Sequence, residues 1–308
     1  MSLLVIDAVS KRFRDITVLD RLSFEVESGS VFGFIGMNGA GKTTTMRIIV
    51  GLLKADGGDV YVQGKKVNFG QTATNDLIGY LPDVPEFYGF MNAFEYLRFC
   101  GKITGMNATD IERKSVELLT MVGLQESANR RIKGYSRGMK QRLGIAQALI
   151  HDPLLLICDE PTSALDPMGR SEILAILSRV RERTTVLFST HILADVERIC
   201  DTVGVLDKGS LVLGGNLERI KGAHRRDTII FEIEEMSIAV LGALEERLRS
   251  LPFVARCWRN GSTFFVDVSS AQQNGTQLLS ELLSRNLTIL NYQVQEPTLE
   301  NLYLEVVA

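Results

Sequence analysis

The stretch "VFGFIGMNGAGKTTTMRIIVGLL", residues 31 to 53, constrains this chain most tightly. A short apolar run enters a glycine-rich turn that ends in Lys-Thr and opens a helical pattern, so G-x-x-x-x-G-K-[ST] stands in the strand-to-helix context that gives it meaning. Gly36, Gly39 and Gly41 let backbone N–H groups close around β- and γ-phosphate oxygens at the positive end of a helix. Lys42 is suited to neutralise those phosphates and Thr43 to ligate magnesium. The candidate nucleotide contacts are therefore Asn38, Gly39, Ala40, Gly41, Lys42, Thr43 and Thr44.

The first 220 or so residues alternate strand-like and helix-like patterns, which predicts an α/β layer fold on a largely parallel sheet. "VFGFIG" and "LLLICDE" are short apolar runs of the kind expected of strands buried on both faces. "TTVLFST" is a further strand, "TVGVLDKGSLVLGG" a hairpin turning at Lys208-Gly209, and the N-terminal "MSLLVIDAVSKRF" a first strand. From about Val84 to Ala148 the pattern turns helical, with Thr109 as the expected N-cap of the run "ATDIERKSVELLTMVGL". A helical subdomain over about 84–148 is thus inserted into the α/β frame.

After "ERIKGAHRRD" the texture changes. "DTIIFEIE", "SIAVLGALEERLRSL", a hairpin around Asn260-Gly261, "TQLLSELLSRN" and "LTILNYQVQ" follow in the order β-α-β-β-α-β. A closing helix, "PTLENLYLEVV", has Pro297 near its start. The expected division is 1–222 and 223–308, the second part being a small α+β, ferredoxin-like domain without a catalytic constellation.

"LLLICDEP" supplies a second piece of chemistry. Asp159 ends a buried strand, where it can hold magnesium through water, and the adjacent Glu160 suits orientation or activation of an attacking water. His191 follows another buried strand that would end beside the same phosphate site, which favours a contact to the γ-phosphate. "IKGYSRGMKQRLGIAQAL" holds glycines and a serine directly before a helix, a second place prepared for an anion.

The ordered set of phosphate loop, "YSRGM", "LLLICDEP", "SALD" and "STH" resembles the ATP-binding subunit of an ABC transporter. The resemblance covers the first 220 or so residues. It implies a P-loop NTPase cassette of mixed sheet with an inserted helical subdomain, ATP and Mg²⁺ as cofactors, and hydrolysis with Glu160, His191 and Lys42 as the catalytic group. It implies Thr43, Asp159 and Asp83 around the metal, and Phe13 stacked on adenine. "YSRGM" falls where the family carries its signature, so Ser136 and Gly138 would meet the γ-phosphate held by a second cassette. Two nucleotides would then be sandwiched between two head-to-tail subunits, a copy of this chain or a relative, with Ser163 and Asp166 speaking across the interface.

Four positions depart from the family's pattern. Phe13 replaces the commoner tyrosine and keeps the stacking face. Arg137 and Met139 replace a glycine and the glutamine of the signature, and Arg137 brings a charge. Asp83 stands where the family usually has a glutamine and cannot donate a hydrogen bond as an amide does.

The module from 223 onward, closed by "PTLENLYLEVV", is similar to the C-terminal extension of export-type cassettes that work with separately encoded permeases of the ABC type-2 class. This implies integral-membrane permease partners in other chains, export rather than import of an unidentified substrate, and a cytoplasmic location, peripheral on the inner face of the cell membrane. The aromatic segment "DVPEFYGFMNAFEYL", with Phe87, Tyr88, Phe90 and Phe94, is the expected docking surface for a permease helix. No apolar run approaches the ~18 residues that a spanning helix needs.

The other classes fit less well. A soluble ABC protein acting on ribosomes or DNA would usually bring two cassettes or a long coiled coil, and the net charge of −3 gives no electrostatic case for nucleic acid. A regulator that never hydrolyses would not need Glu160 and His191. The four cysteines, Cys100, Cys158, Cys200 and Cys257, have neither C-x-x-C spacing nor a disulfide framework and read as reduced apolar groups.

Overall fold

The computed structural model describes residues 2–223, 227–234, 236–285, 287–295, 299–300 and 302–303. The chain forms two compact units, Met1–Leu217 and Glu218–Val306.

In the first unit the elements run β1 (Ser2–Phe13), β2 (Ile16–Glu27), β3 (Val31–Ile35), α1 (Lys42–Ile49), β4 (Gly57–Val62), β5 (Lys65–Lys66) and β6 (Ile78–Leu81). The helical block α2 (Ala93–Ile103), α3 (Ala108–Met121) and α4 (Arg137–Leu149) follows. The α/β pattern then resumes with β7 (Leu155–Cys158), α5 (Pro167–Val180), β8 (Thr185–Thr190), α6 (Leu193–Ile199), β9 (Thr202–Asp207) and β10 (Ser210–Asn216), and α7 (Leu217–Ala223) leads from the last residue of this unit into the second.

Six strands form one sheet in the order β10-β9-β3-β8-β7-β6. All its pairings are parallel except the β9–β10 hairpin. That hairpin closes through Lys208 and Gly209, both at positive φ, the turn hand that matches strand twist. Strand β3 is buried at all five positions, as the continuous apolar run requires. The parallel sheet is not the only one. Residues near the N-terminus and β4–β5 form a separate antiparallel sheet, β2-β1-β4-β5. It packs on the parallel one through Phe24, whose ring lies 5.1 Å from Phe32 and 5.2 Å from Phe34. The sequence pattern predicts a single strand in this region, because β2 alternates clearly only after Leu22 and a register shift between Ile6 and Val9 breaks the period in its partner.

One expected cap is corrected. Asn107, not Thr109, caps α3, its side chain accepting from the Asp110 N–H at 2.9 Å. Asn is the stronger capping residue, and a helix begun two residues earlier keeps Thr109 inside its first turn.

The second unit contains β11 (Asp227–Ile233), α8 (Ile238–Arg249), β12 (Val254–Asn260), β13 (Thr263–Val268), α9 (Ala271–Leu283) and β14 (Ile289–Gln295). Its antiparallel sheet has the order β12-β13-β11-β14, the ferredoxin-like arrangement. Ile229, Phe231, Phe264 and Val266 point into one core against Leu244, Leu248 and Leu278 of the two helices. The hairpin turn sits one residue later than the Asn-Gly pair suggests: Asn260 pairs with Thr263, and Gly261 takes the first loop position at φ 60°. A two-residue loop that begins with glycine satisfies the strand twist equally well. The expected closing helix around Pro297 lies largely outside the described residues.

Candidate functional site

The site is assembled at the C-terminal ends of β3, β7 and β8, three adjacent parallel strands. The order of those strands, rather than any local signal, brings the three motifs together. From β3 the chain enters the glycine turn and α1. Gly41, at φ 112°, forms the N-cap without any side-chain cap, so the first N–H groups of α1 face outward unclaimed by a side chain. A Cβ at Gly41 would sit 2.7 Å from Leu19 and 3.0 Å from the Val18 carbonyl, so both conformation and space demand glycine there. Asn38, Gly39 and Thr43 are exposed, Thr44 is half-buried, and Ala40 is buried against the loop.

Lys42 is only 6% exposed. Its ammonium donates to the Gly36 carbonyl at 2.6 Å and lies 3.1 Å from Glu160 Oε1. The other oxygen of Glu160 meets His191 Nδ1 at 2.9 Å. The three residues assigned to catalysis therefore touch in a chain, Lys42 to Glu160 to His191. Glu160 itself is held at φ 47°, an uncommon backbone state for a residue with a side chain. Its N–H donates to Ser189 Oγ at 2.9 Å.

Asp159 is buried, and its Oδ1 accepts from Ser189 Oγ at 2.7 Å. One serine at the end of β8 thus fixes both Asp159 and the backbone of Glu160. Ser189 stands in "STH" without a motif-level role, and its place two residues before His191, on the same strand end, is the one sequence signal for it.

Asp83, in the loop after β6, lies 3.6 Å from Arg137 Nη2. Burial pushes its carboxyl above the usual range, opposed by the Arg137 charge and reinforced by Asp159 and Glu160. Ser136 caps α4, its Oγ accepting from the Met139 N–H at 3.2 Å, and Gly138 lies beside it. Among the described residues, no hydrogen bond or ion pair joins Ser136 or Gly138 to residues 36–45 of the same chain. Phe13 ends β1, 45% exposed, with the Lys11 ammonium 5.2 Å from its ring centroid.

The loop after Glu160 is anchored by groups that the sequence did not single out. Buried Asp195 of α6 accepts from Thr162 Oγ1 at 2.8 Å and from Arg170 Nε at 2.6 Å, joining this loop, α5 and α6. Ser163 donates its N–H to the Glu160 carbonyl, and Asp166 caps α5 through the Gly169 N–H.

No three acidic, histidine or cysteine side chains converge as a metal cage among the described residues. The donor set nonetheless fits Mg²⁺ in a nucleotide site, because that ion takes one or two protein oxygens and completes its shell with phosphate and water. Asp159 offers a buried carboxylate there, and Glu160 Oε1 lies beside it with the Lys42 ammonium 3.1 Å away.

Residues 19–163 match the family model described as ABC transporter, and residues 215–307 match the model described as ATP-binding protein DrrA1-3-like, C-terminal domain. The chain is 38% identical over 306 residues to the uncharacterized ABC transporter ATP-binding protein YxlF of Bacillus subtilis, covering 99% of each. It is 34% identical to the linearmycin resistance ATP-binding protein LnrL of the same organism, covering 97% of this chain and 96% of that one. A solved ATP-binding subunit of an ABC transporter superposes with a TM-score of 0.66 at 31% identity, covering 72% of this chain and 93% of the other.

Proposed function

The chain belongs to the ATP-binding subunits of ABC transporters, and on that premise we propose that it drives export through separate permease subunits, as one half of a head-to-tail cassette dimer. As a member of that family it is an ATPase that hydrolyses ATP to power transport. The observation that carries the dimer reading is the separation of two anion-binding helix ends. The phosphate loop has its own lysine, glutamate and histidine, whereas among the described residues Ser136 and Gly138 share no hydrogen bond or ion pair with it. The second end is left to serve a nucleotide held by another cassette.

In this reading Lys42 leaves Glu160 for the β- and γ-phosphates, and Glu160, still held by His191, orients a water toward the γ-phosphorus. Mg²⁺, held by Thr43 and Asp159 with Asp83 nearby, would supply charge neutralisation on the phosphates. The C-terminal DrrA-like match and the resemblance to a resistance protein support export. Cargo choice then rests with the permease. The accessory domain is taken from about residue 223.

Complementation tests the sandwich. Glu160→Gln should stop hydrolysis at its own phosphate loop while leaving ATP bound there. Gly138→Asp puts a carboxylate at the second anion site, where a Cβ meets only Leu165 at 3.9 Å and the fold is undisturbed. Each variant alone is expected to be inactive, and an equimolar mixture to recover about a quarter of wild-type hydrolysis, since half the dimers are mixed and each mixed dimer has one intact site. A mixture as inactive as its components rules out shared sites.

We place permease docking on the groove of about 670 Å³ between the core and the helical block, lined by Phe87, Tyr88, Tyr96, Phe99 and Ile103 among others. Phe87 packs edge-on to Tyr96 at 5.0 Å and belongs to the wall, whereas Tyr88 and Phe90 are 51% and 65% exposed. Among the described residues no helix is long and apolar enough to cross a membrane, which fits a peripheral subunit. Tyr88→Glu should keep the isolated chain's hydrolysis within about twofold and abolish co-purification with the permease. Retained co-purification would move the docking surface elsewhere.

A further inference from the structure

Two departures from the family's pattern, far apart in sequence, meet in space. Arg137, at the first position of α4, points its Nη2 at Asp83 Oδ1 from 3.6 Å. That oxygen is buried and accepts no hydrogen bond. One turn further along α4, fully buried Gln141 donates from Nε2 to the Asp83 carbonyl at 2.8 Å. Residues four apart share a helix face, so one face of α4 holds both the side chain and the backbone of Asp83. At Gly144 the same helix lies so close to the segment after β6 that a Cβ would come within 2.4 Å of Leu81. The first turns of α4 and the 81–85 loop are therefore one packed body, and a shift of Asp83 is transmitted to the helix end that carries Ser136 and Gly138.

The loop that carries Asp83 adjoins the phosphate site on its other side: Leu81 pairs with Cys158 across β6 and β7, and the Asp159 N–H donates to the Leu81 carbonyl at 2.8 Å. A nucleotide with its bound cation changes the balance of charge on that side. Asp83 thus stands between the chain's own phosphate site and the helix end that addresses another. We propose that Arg137 is a positioning residue whose pairing with Asp83 of its own chain couples nucleotide occupancy there to presentation of Ser136 and Gly138 to the second cassette. The proposal rests on the head-to-tail reading above. Its consequence is positive cooperativity between the two ATP sites, with Arg137 outside the chemistry itself.

A double-mutant cycle in the full-length protein tests it, using Asp83→Asn, Arg137→Met and the double variant, with Arg137→Lys as the conservative control. Methionine keeps the aliphatic stem and removes the charge. Binding of a fluorescent ATP analogue by Arg137→Met should stay within about twofold of wild type, while kcat falls about tenfold. The Hill coefficient for ATP should drop from near 2 toward about 1, and Arg137→Lys should restore most of both quantities. The double variant should be no worse than the poorer single variant, because the pair acts as a unit. Losses that multiply in the double variant, or an Arg137→Met protein with unchanged kcat and Hill coefficient, overturn the coupling. If such a result accompanies successful complementation between Glu160→Gln and Gly138→Asp, the coupling alone fails and the sandwich stands. Failed complementation overturns both.

Discussion

Glu160→Gln should bind ATP, lose about two to three orders of magnitude in kcat, and accumulate as an ATP-dependent dimer. Glutamine has the length and planarity of glutamate, so the 2.9 Å contact with His191 and the bond from the Glu160 N–H to Ser189 can both persist. What disappears is the negative charge that orients and polarises a water for attack on the γ-phosphorus. Lys42, now 3.1 Å from a carboxylate oxygen, would face a neutral amide and be freer to meet phosphate. Binding is therefore expected to survive while turnover stops. Steady-state phosphate release gives the first quantity, and size-exclusion chromatography with light scattering, with and without Mg-ATP, gives the second. Rapid hydrolysis by the variant would remove Glu160 from its role. An ATP-bound monomer at concentrations where wild type turns over would count against a self-sufficient pair of cassettes.

Lys42→Ala should have the opposite signature: ATP affinity falls by about two orders of magnitude, because a desolvated ammonium contact to phosphate is among the stronger charge-assisted bonds. The loss extends to the protein without nucleotide. Lys42 is 6% exposed, and its side chain and that of Glu160 approach in a largely dry corner. Removing one member of a buried pair costs about 3–5 kcal/mol when the other charge is left uncompensated. Here His191 still contacts Glu160, so the expected destabilisation lies at or below about 3 kcal/mol. Lys42→Met separates lost charge from lost packing, since it keeps the aliphatic stem and removes only the charge. Nucleotide titration and thermal unfolding, run on both variants, measure affinity and stability independently. Affinity unchanged in Lys42→Ala would take the phosphate loop out of the nucleotide site.

The pieces legible in the sequence are those whose physics is local. The glycine turn at 36–41 needs positive φ and close backbone approach, and only glycine supplies both at Gly41. The apolar runs at Val31–Ile35 and Leu155–Cys158 announce strands covered on both faces. The Lys208-Gly209 hairpin and the β-α-β-β-α-β order of the second unit follow from period and turn chemistry. Where two local signals competed, the finer detail moved: the cap of α3 went to Asn107 and the second hairpin turn to Gly261.

Tertiary structure alone decided which of these pieces touch. Lys42, Glu160 and His191 lie on three strand ends that become neighbours because β8 is laid between β3 and β7, an order that no window of sequence contains. Ser189 acquired its hold on Asp159 and Glu160 in the same way. The approach of Arg137 to Asp83 spans the whole helical block and depends on α4 packing flush against the segment after β6. Propensity and periodicity act over a turn or a strand, so they determine what each segment becomes. The meeting of charged side chains from distant segments is set by sheet order and by the close packing of a shared core.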